Sequence, residues 1–170
     1  MPSTFICIND LLDELQQKLV PEQKKIALAE SCTGGKIAAA ITDRAGSSLW
    51  FERAYVTYSD QAKMDLLAVK EKTLEQYGAV SEQVASEMAI GCLVHSDCDF
   101  SLSVTGIAGP GGGSIEKPVG TVWFAWAAYK NKQILVKSML QQFAGDRHQI
   151  REQSVNYALS QLIEYIDEPT

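Results

Sequence analysis

The stretch that decides the fold is Ala27-Leu28-Ala29-Glu30-Ser31-Cys32-Thr33-Gly34-Gly35. Its apolar first half is followed directly by small hydroxyl and thiol residues and two glycines, and helical spacing begins immediately after them. This order is typical of a buried strand, a tight turn and the first turn of a helix. The pattern predicts that Ser31 lies where a strand ends, beside backbone N–H groups that have no partner within the helix.

A serine at such a turn has two possible roles. The ordinary role of its hydroxyl is to cap the helix. Alternatively, Ser31 can act as a nucleophile beside N–H donors that stabilise an oxyanion or bind a phosphate. The turn by itself favours the cap, so the choice depends on which residues the rest of the chain brings to Ser31.

Outward from this turn, segments with helical spacing alternate with apolar and β-branched runs. Helices are predicted at 8–20, 35–42, 59–67, 70–77, 81–93 and from 145 onward, and strands at 24–29, 50–58, 99–105, 119–129 and 133–140. The alternation ends in a hairpin, which predicts an α/β fold: a single three-layer α/β/α domain over residues 1–170. Its sheet is expected to be mixed and mainly parallel, with a C-terminal antiparallel hairpin.

The composition narrows the class of protein. Of the 170 residues, 46% are hydrophobic and 21% are charged, and the net charge is -6. An acidic chain is a poor general partner for nucleic acid or for an anionic membrane. No apolar run approaches the ~18 residues that a membrane span needs. We therefore expect a cytoplasmic protein with no nucleic-acid or membrane partner.

The cysteines and histidines do not form a convincing metal site. Cys92, His95 and Cys98 are spaced i, i+3, i+6, but the chain has only one further histidine, His148, and no C-x-x-C pair. Such a group more often packs than binds zinc. We predict free thiols, no metal and no cofactor.

Polar or glycine-rich loops follow three of the predicted strands. They contain Ser31 and Thr33, then Tyr58 and Lys63, and then the loop at 105–114. In open α/β sheets, ligands bind beyond the carboxyl ends of parallel strands, so these loops are expected to share one crevice. The glycines of the third loop fit neither a P-loop nor a dinucleotide motif. They are compatible with an ordinary surface loop or with backbone N–H groups close to a phosphate or a planar group.

A nucleophilic Ser31 needs a base, and Lys63 is the best candidate. Neither His95 nor His148 fits a Ser-His-Asp arrangement. A lysine with a lowered pKa can accept the serine proton, and Tyr58 could relay or orient that proton. The ordinary alternative for Lys63 is a solvated lysine on a helix.

Two further residues have competing interpretations. Cys32 is a rival nucleophile, because a helix N-terminus lowers the pKa of a thiol, or else a small packed residue. Arg147 begins the last helix, where its charge opposes the helix dipole. Its position indicates another purpose, such as an anionic ligand or a pairing with Asp146.

Several motifs, in order, resemble those of the CinA C-terminal domain family and together cover roughly residues 8–165. They are Ala29–Gly35, Tyr58–Lys63, Gly78–Ser81, Thr105–Pro110, Lys117–Val122 and Gly145–Arg147. The chain departs from the family pattern at Asp60-Gln61, where we expect Asn-Glu, at Ala68, where glycine is usual, and at Ala144, where serine is expected. None of these departures removes a proposed catalytic group.

The resemblance implies a cofactor-free nicotinamide-nucleotide amidase that recycles a pyridine by-product. Such an enzyme hydrolyses nicotinamide mononucleotide to nicotinic acid mononucleotide and ammonia. By motif, Ser31 would be the nucleophile and Lys63 the base, with Tyr58 assisting. The predicted substrate-binding residues are Thr33, Gly34, Ser48, Thr105, Gly106, Gly109 and Arg147.

The chain resembles the stand-alone form of the family, which has no additional N-terminal domain, and we expect a homodimer. Trp50, Phe51 and the hairpin could form the dimer surface or could belong to the core. The alternative function is a non-catalytic regulatory module that binds a pyridine nucleotide. Such a module would keep the glycine-rich loop at 105–114 and Arg147 but would not need Lys63.

Overall fold

The computed structural model describes residues 7–168, so the first six and last two residues of the predicted domain lie outside the described part. The five strands are β1 Ile26–Glu30, β2 Phe51–Val56, β3 Phe100–Gly106, β4 Thr121–Lys130 and β5 Gln133–Gln142. The helices are α1 Ile8–Leu19, α2 Lys36–Thr42, α3 Asp60–Leu67, α4 Glu71–Tyr77, α5 Glu82–Val94 and α6 Arg147–Asp167, with a 3₁₀ turn at Ser47–Leu49.

The strands form one sheet in the order β2-β1-β3-β4-β5. β1 pairs in parallel with both β2 and β3, and β4 is antiparallel to β3 and β5. Helices α1, α2 and α6 pack on one face, and α3, α4 and α5 pack on the other. The predicted three-layer fold with a mixed sheet and a C-terminal hairpin is confirmed.

β1 is an inner strand of the sheet, and it is buried on both faces because helices cover both faces of the sheet at this strand. Its larger side chains, Ile26 and Leu28, join the core under α1 and α6, while Ala27 and Ala29 face the core under α5. This alternation follows from the two-residue repeat of a strand. The position of β1 fixes where the chain turns at Ser31.

The start of α3 is determined by a cap and its end by a close helix contact. Ser59 accepts a hydrogen bond from the backbone N–H of Ala62 and so caps the helix. At the other end, α5 passes so close that a Cβ on Gly91 would lie 1.9 Å from the Leu67 carbonyl oxygen. Only glycine permits this approach, which packs the end of α3 closely against α5, the helix that lies on the sheet.

Of the two predicted locations for Trp50, the core is confirmed and the dimer surface is not. Its side chain is fully buried in the core under α1 and α6, and Phe51 packs partly against the same core.

None of the helices between residues 7 and 168 combines the length and the apolar character needed to cross a membrane.

Candidate active site

The carboxyl ends of β1, β2 and β3 meet at one edge of the sheet, and a cavity of about 240 Å³ opens there. It is lined by Ser31, Cys32, Tyr58, Asp60, Lys63, Ala79, Val80, Thr105, Gly106, Ala108 and Arg147. The three predicted loops thus contribute to one crevice, together with the start of α6. This convergence follows from the parallel pairing, which places successive strand ends side by side.

Ser31 follows β1 and is held by its backbone. Its N–H donates to the Val104 carbonyl at 3.0 Å, which continues the pairing with β3 by one residue. Its own carbonyl accepts from the N–H of Gly34 at 3.0 Å, which closes the turn. Gly34 and Gly35 have φ values of +58° and +90°, in the left-handed region that favours glycine. The two glycines therefore allow the chain to turn directly behind Ser31.

The capping role belongs to Glu30 and not to Ser31. The fully buried carboxylate of Glu30 accepts hydrogen bonds from the N–H groups of Gly35, Ile37 and Ala38 at 2.9–3.2 Å. A negative charge at this end of α2 also complements the helix dipole. The interpretation of Ser31 as a cap is therefore wrong, and its hydroxyl is left for another purpose.

Lys63 provides the partner for that hydroxyl. Its side chain is only 1% exposed, and Nζ donates to Ser31 Oγ at 3.2 Å and to the Thr57 carbonyl at 3.0 Å. Burial lowers the pKa of Lys63 below its usual 10.5, against the opposing influence of Asp60, whose Oδ1 lies 3.9 Å from Nζ, and of Cys32. A lysine with a lowered pKa is neutral more often, and a neutral amine can accept the proton of Ser31.

Cys32 does not have the activated thiol that its position indicated. Its side chain is buried, and this burial raises the pKa of the thiol to about 12. The loss of solvation outweighs any effect of the helix N-terminus, so the thiol stays protonated. The structure favours the packed role for Cys32.

Arg147 and Tyr58 form the outer part of the cavity. The guanidinium of Arg147 donates to the Gly109 carbonyl at 2.8 Å and to the Tyr58 hydroxyl at 3.1 Å. Asp146 is engaged elsewhere, because it forms a capping box with Gln149 at the start of α6. The unfavourable position of Arg147 is thus explained by contacts across the cavity and not by pairing with Asp146.

Two glycines of the third loop, Gly106 and Gly109, have a packing role. A Cβ on Gly106 would lie 2.7 Å from Val122, and one on Gly109 would lie 2.5 Å from Val119. The loop therefore needs glycine because it lies against the start of β4. The hydroxyl of Thr105 donates to the Ala79 carbonyl at 2.9 Å, which joins the end of β3 to the segment before α5.

Comparison with known proteins identifies the family. The family model for the CinA C-terminal domain matches residues 8–166. The chain belongs to the CinA C-terminal domain family. The resemblance that the sequence motifs indicate is confirmed.

Close relatives share nearly the whole chain. The nicotinamide-nucleotide amidohydrolase PncC of Enterobacter agglomerans is 53% identical over 152 residues, which are 89% of this chain and 91% of that protein. The protein of the same name from Escherichia coli strain K12 is 51% identical over 155 residues, 91% and 92% of the two chains. The crystal structure of the competence/damage inducible protein CihA from Agrobacterium tumefaciens has a TM-score of 0.87 and 44% identity, covering 95% of this chain and 98% of that one.

Four of the predicted substrate-binding residues do not line the cavity: Thr33, Gly34, Ser48 and Gly109, although the carbonyl of Gly109 accepts a hydrogen bond from Arg147. Thr33 is fully buried, and Gly34 lies beside Arg151. Ser48 lies before β2, where the neighbouring Trp50 carbonyl accepts from the N–H of Ile26. Ser48 is therefore at the end of the sheet where β1 begins, and the length of that strand, roughly 3.3 Å per residue, separates it from Ser31.

Sequence reasoning missed Glu30, Asp60 and Arg151. Arg151 donates to the Cys32 carbonyl at 3.1 Å and to the Thr33 carbonyl at 2.7 Å, so it supports the turn that carries Ser31. Its spacing of four residues from Arg147 could have placed it on the same helix face. His95 and His148 are both exposed, and within residues 7–168 no three His, Cys, Asp or Glu side chains are grouped as metal ligands.

Proposed function

We propose that this chain hydrolyses the carboxamide of nicotinamide mononucleotide to nicotinic acid mononucleotide and ammonia, with Ser31 as nucleophile and Lys63 as base. The observation that carries the proposal is the 3.2 Å contact between Ser31 Oγ and the buried Lys63 Nζ at the cavity. The names of the close relatives supply the substrate. Both the geometry and the names support an amidohydrolase.

In the first half of the reaction, neutral Lys63 takes the proton of Ser31 as Oγ forms a bond to the carboxamide carbon. Backbone N–H groups near the Ser31 turn or at Thr105 stabilise the oxyanion, and each lowers the activation barrier by about 3 kcal/mol. The C–N bond then breaks, and the protonated Lys63 returns its proton to the leaving nitrogen. Ammonia departs and an ester of Ser31 remains.

In the second half, water attacks the ester carbon and Lys63 accepts the water proton. The bond between the carbon and Ser31 Oγ breaks, Oγ takes the proton back from Lys63, and the carboxylic acid product leaves. The same two side chains thus serve both steps. The contact of Lys63 with the Thr57 carbonyl holds Nζ beside Ser31 throughout.

The remainder of the cavity binds the substrate. Arg147 supplies the charge for the phosphate, and its contacts with Gly109 and Tyr58 hold the guanidinium in place. The hydroxyl of Tyr58 lies against Arg147, which favours an orienting role for Tyr58 over a proton relay. Thr105 and Gly106 form the wall at the end of β3.

A homodimer in the cytoplasm belongs to the same proposal. The free cysteines between residues 7 and 168 support the location. β5 is an edge strand of ten residues with Leu135 and Leu140 about half exposed, which supports a contact there. Within one chain Ser48 is too distant from the cavity, so a role in binding would require a second copy. The mass in solution tests the dimer.

The rival of another class is a module that binds a pyridine nucleotide without catalysis. It would use Arg147 but has no need for a buried lysine bonded to a serine. Burying an amine is unfavourable unless the site uses it, so the Ser31–Lys63 pair favours the enzyme. A Cys32 nucleophile is disfavoured by its raised pKa.

The decisive experiment measures ammonia release from nicotinamide mononucleotide in the presence of EDTA. Ser31→Ala is expected to abolish release while the far-UV spectrum and melting temperature stay close to those of the unchanged protein. Ser160→Ala, on α6 and outside the cavity, is the matched control and should retain full activity. Near-normal turnover by Ser31→Ala would exclude the mechanism, and binding of the nucleotide without ammonia release by the unchanged protein would favour the binding module.

A further inference from the structure

The cavity contains a charged group that the hydrolytic mechanism does not use. Asp60 is the first residue of α3 and lines the cavity, with its side chain 60% exposed. Its Oδ1 lies 3.9 Å from Lys63 Nζ, which in turn lies 3.2 Å from Ser31 Oγ. A carboxylate therefore lies directly beside the reacting groups.

The stability of α3 does not explain why Asp60 lines the cavity. Ser59 already caps α3 by accepting from the N–H of Ala62. A carboxylate in the first turn complements the helix dipole, but one that points to solvent would serve as well. Asp65, on the same helix, is such an exposed carboxylate and does not line the cavity.

The role of Lys63 as a base does not explain the position of Asp60 either. A nearby negative charge favours the protonated form of Lys63, whereas the proposed base must be neutral. Asp60 thus works against the proton transfer from Ser31. We therefore expect Asp60 to contribute to substrate binding, which would offset its unfavourable effect on Lys63.

The charges of the cavity match a ligand with a cation at one end and an anion at the other. Arg147 provides the positive charge and Asp60 the negative one. Attack requires the carboxamide carbon to lie roughly 3 Å from Ser31 Oγ. Because Asp60 is close to the Ser31–Lys63 pair, the ring that carries the carboxamide lies near Asp60. In the oxidised nucleotide this ring is a pyridinium cation.

We propose that Asp60 is a specificity residue, which makes the cavity prefer the cationic pyridinium ring over a neutral ring that carries the same carboxamide. This inference rests on the proposed function and adds a discrimination by ring charge. The oxidised mononucleotide is selected, and its reduced dihydropyridine form is disfavoured. Because Asp60 is more than half exposed, water and salt weaken the attraction, so the preference is modest.

The test measures binding in the Ser31→Ala background, where no turnover disturbs the equilibrium. The dissociation constants of oxidised and reduced nicotinamide mononucleotide are measured by calorimetry at low and high salt. Asp60→Asn removes the charge at nearly constant size, and Asp60→Glu restores it. Asp65→Asn is the matched control, because it removes the same charge from an exposed site on the same helix.

We expect Asp60→Asn to weaken binding of the oxidised form about fivefold and to leave the reduced form unchanged. High salt should reduce the preference of the parent and have little effect on that of Asp60→Asn. Asp60→Glu should recover part of the preference, and Asp65→Asn should retain all of it. Melting temperatures of all variants confirm that each is folded.

Three results would overturn the proposal. The first is equal weakening of both forms by Asp60→Asn, which indicates a structural role. The second is an unchanged preference, with only the pH profile of turnover shifted in the Asp60→Asn single variant, which indicates action on Lys63 alone. The third is no measurable binding of either form. Ammonia release by the unchanged protein tests the proposed function separately. If ammonia is released but Asp60→Asn leaves the preference for the oxidised form unchanged, only the present inference is rejected.

Discussion

Ser31 and Lys63, on the inner wall of the cavity, are 8% and 1% exposed, whereas Tyr58 at the mouth is 63% exposed. Burial on the inner wall lowers the pKa of Lys63 and so prepares an amine for proton transfer. Arg147 at the mouth and the 60% exposed Asp60, next to Lys63, keep opposite charges that can attract a charged ligand. The contrast indicates that solvent exposure divides the cavity into a part for proton transfer and a part for recognition.

The largest effect is expected from the inner wall. Lys63→Met fills the buried site with an apolar chain but removes the base, so turnover should fall by about 10³-fold with little change in KM. Ammonia release measures the loss, and Lys72→Met on the exposed part of α4 is the control. Turnover within tenfold of that of the unchanged protein would contradict the role of Lys63 as the base on the inner wall.

Glu30 supports the inner wall from behind. Glu30→Ala leaves the N–H groups of Gly35, Ile37 and Ala38 without their acceptor. The free energy of unfolding should fall by about 4 kcal/mol, because buried unpaired donors are costly. Urea unfolding measures this. The exposed Glu75→Ala should stay within about 0.5 kcal/mol. Equal stability of both variants would contradict the capping role.

At the mouth, Arg147→Gln should change binding more than chemistry. The loss of a charged contact to the phosphate costs about 2 kcal/mol, which corresponds to a roughly 30-fold higher KM with kcat nearly unchanged. Steady-state kinetics with the mononucleotide and with its riboside, which lacks the phosphate, measure the difference. An equal loss for both substrates would show that Arg147 does not recognise the phosphate.

The pH profile tests the inner wall without a substitution. Lys63 must be neutral to act, so kcat/KM should fall about tenfold per unit as the pH drops below its pKa, which lies below 10.5. Between that pKa and 10.5 the unfolded chain binds more protons, so the free energy of unfolding should rise with pH. Lys63→Met should remove this part of the rise. An inflection at the ordinary lysine value would contradict the effect of burial.

The smallest effect is expected for Tyr58→Phe. Its hydroxyl accepts from Arg147 at 3.1 Å, and its loss should raise KM about fivefold through a less well oriented guanidinium. If Tyr58 only orients, kcat stays the same. A fall in kcat of about 100-fold would instead assign Tyr58 to the proton transfer of the inner wall.

Much of the fold was predictable because its signals are local. The strand and turn at Ala27–Gly35 and the helix starts predicted at 59 and 81 each depend on a few neighbouring residues. The structure confirms them, with α3 and α5 each preceded by a serine that caps the helix. Glu30 shows the limit of such signals. Glu30 and Ser31 are adjacent and both suit the start of a helix, and only the tertiary structure shows that it is the Glu30 side chain that accepts from the N–H groups of α2.

The sequence by itself determined the order of the elements, the edge of the sheet where the loops meet, and the residue types that could react there. Tertiary structure decided which of those residues meet. Ser31 and Lys63 are 32 residues apart, and Tyr58 and Arg147 are 89 apart. It also decided that Ser48 lies at the other end of the sheet and that the Cys32 thiol is buried. The physical reason is that periodicity and capping act between neighbours, whereas burial, and the pKa that depends on it, comes from residues distant in the chain.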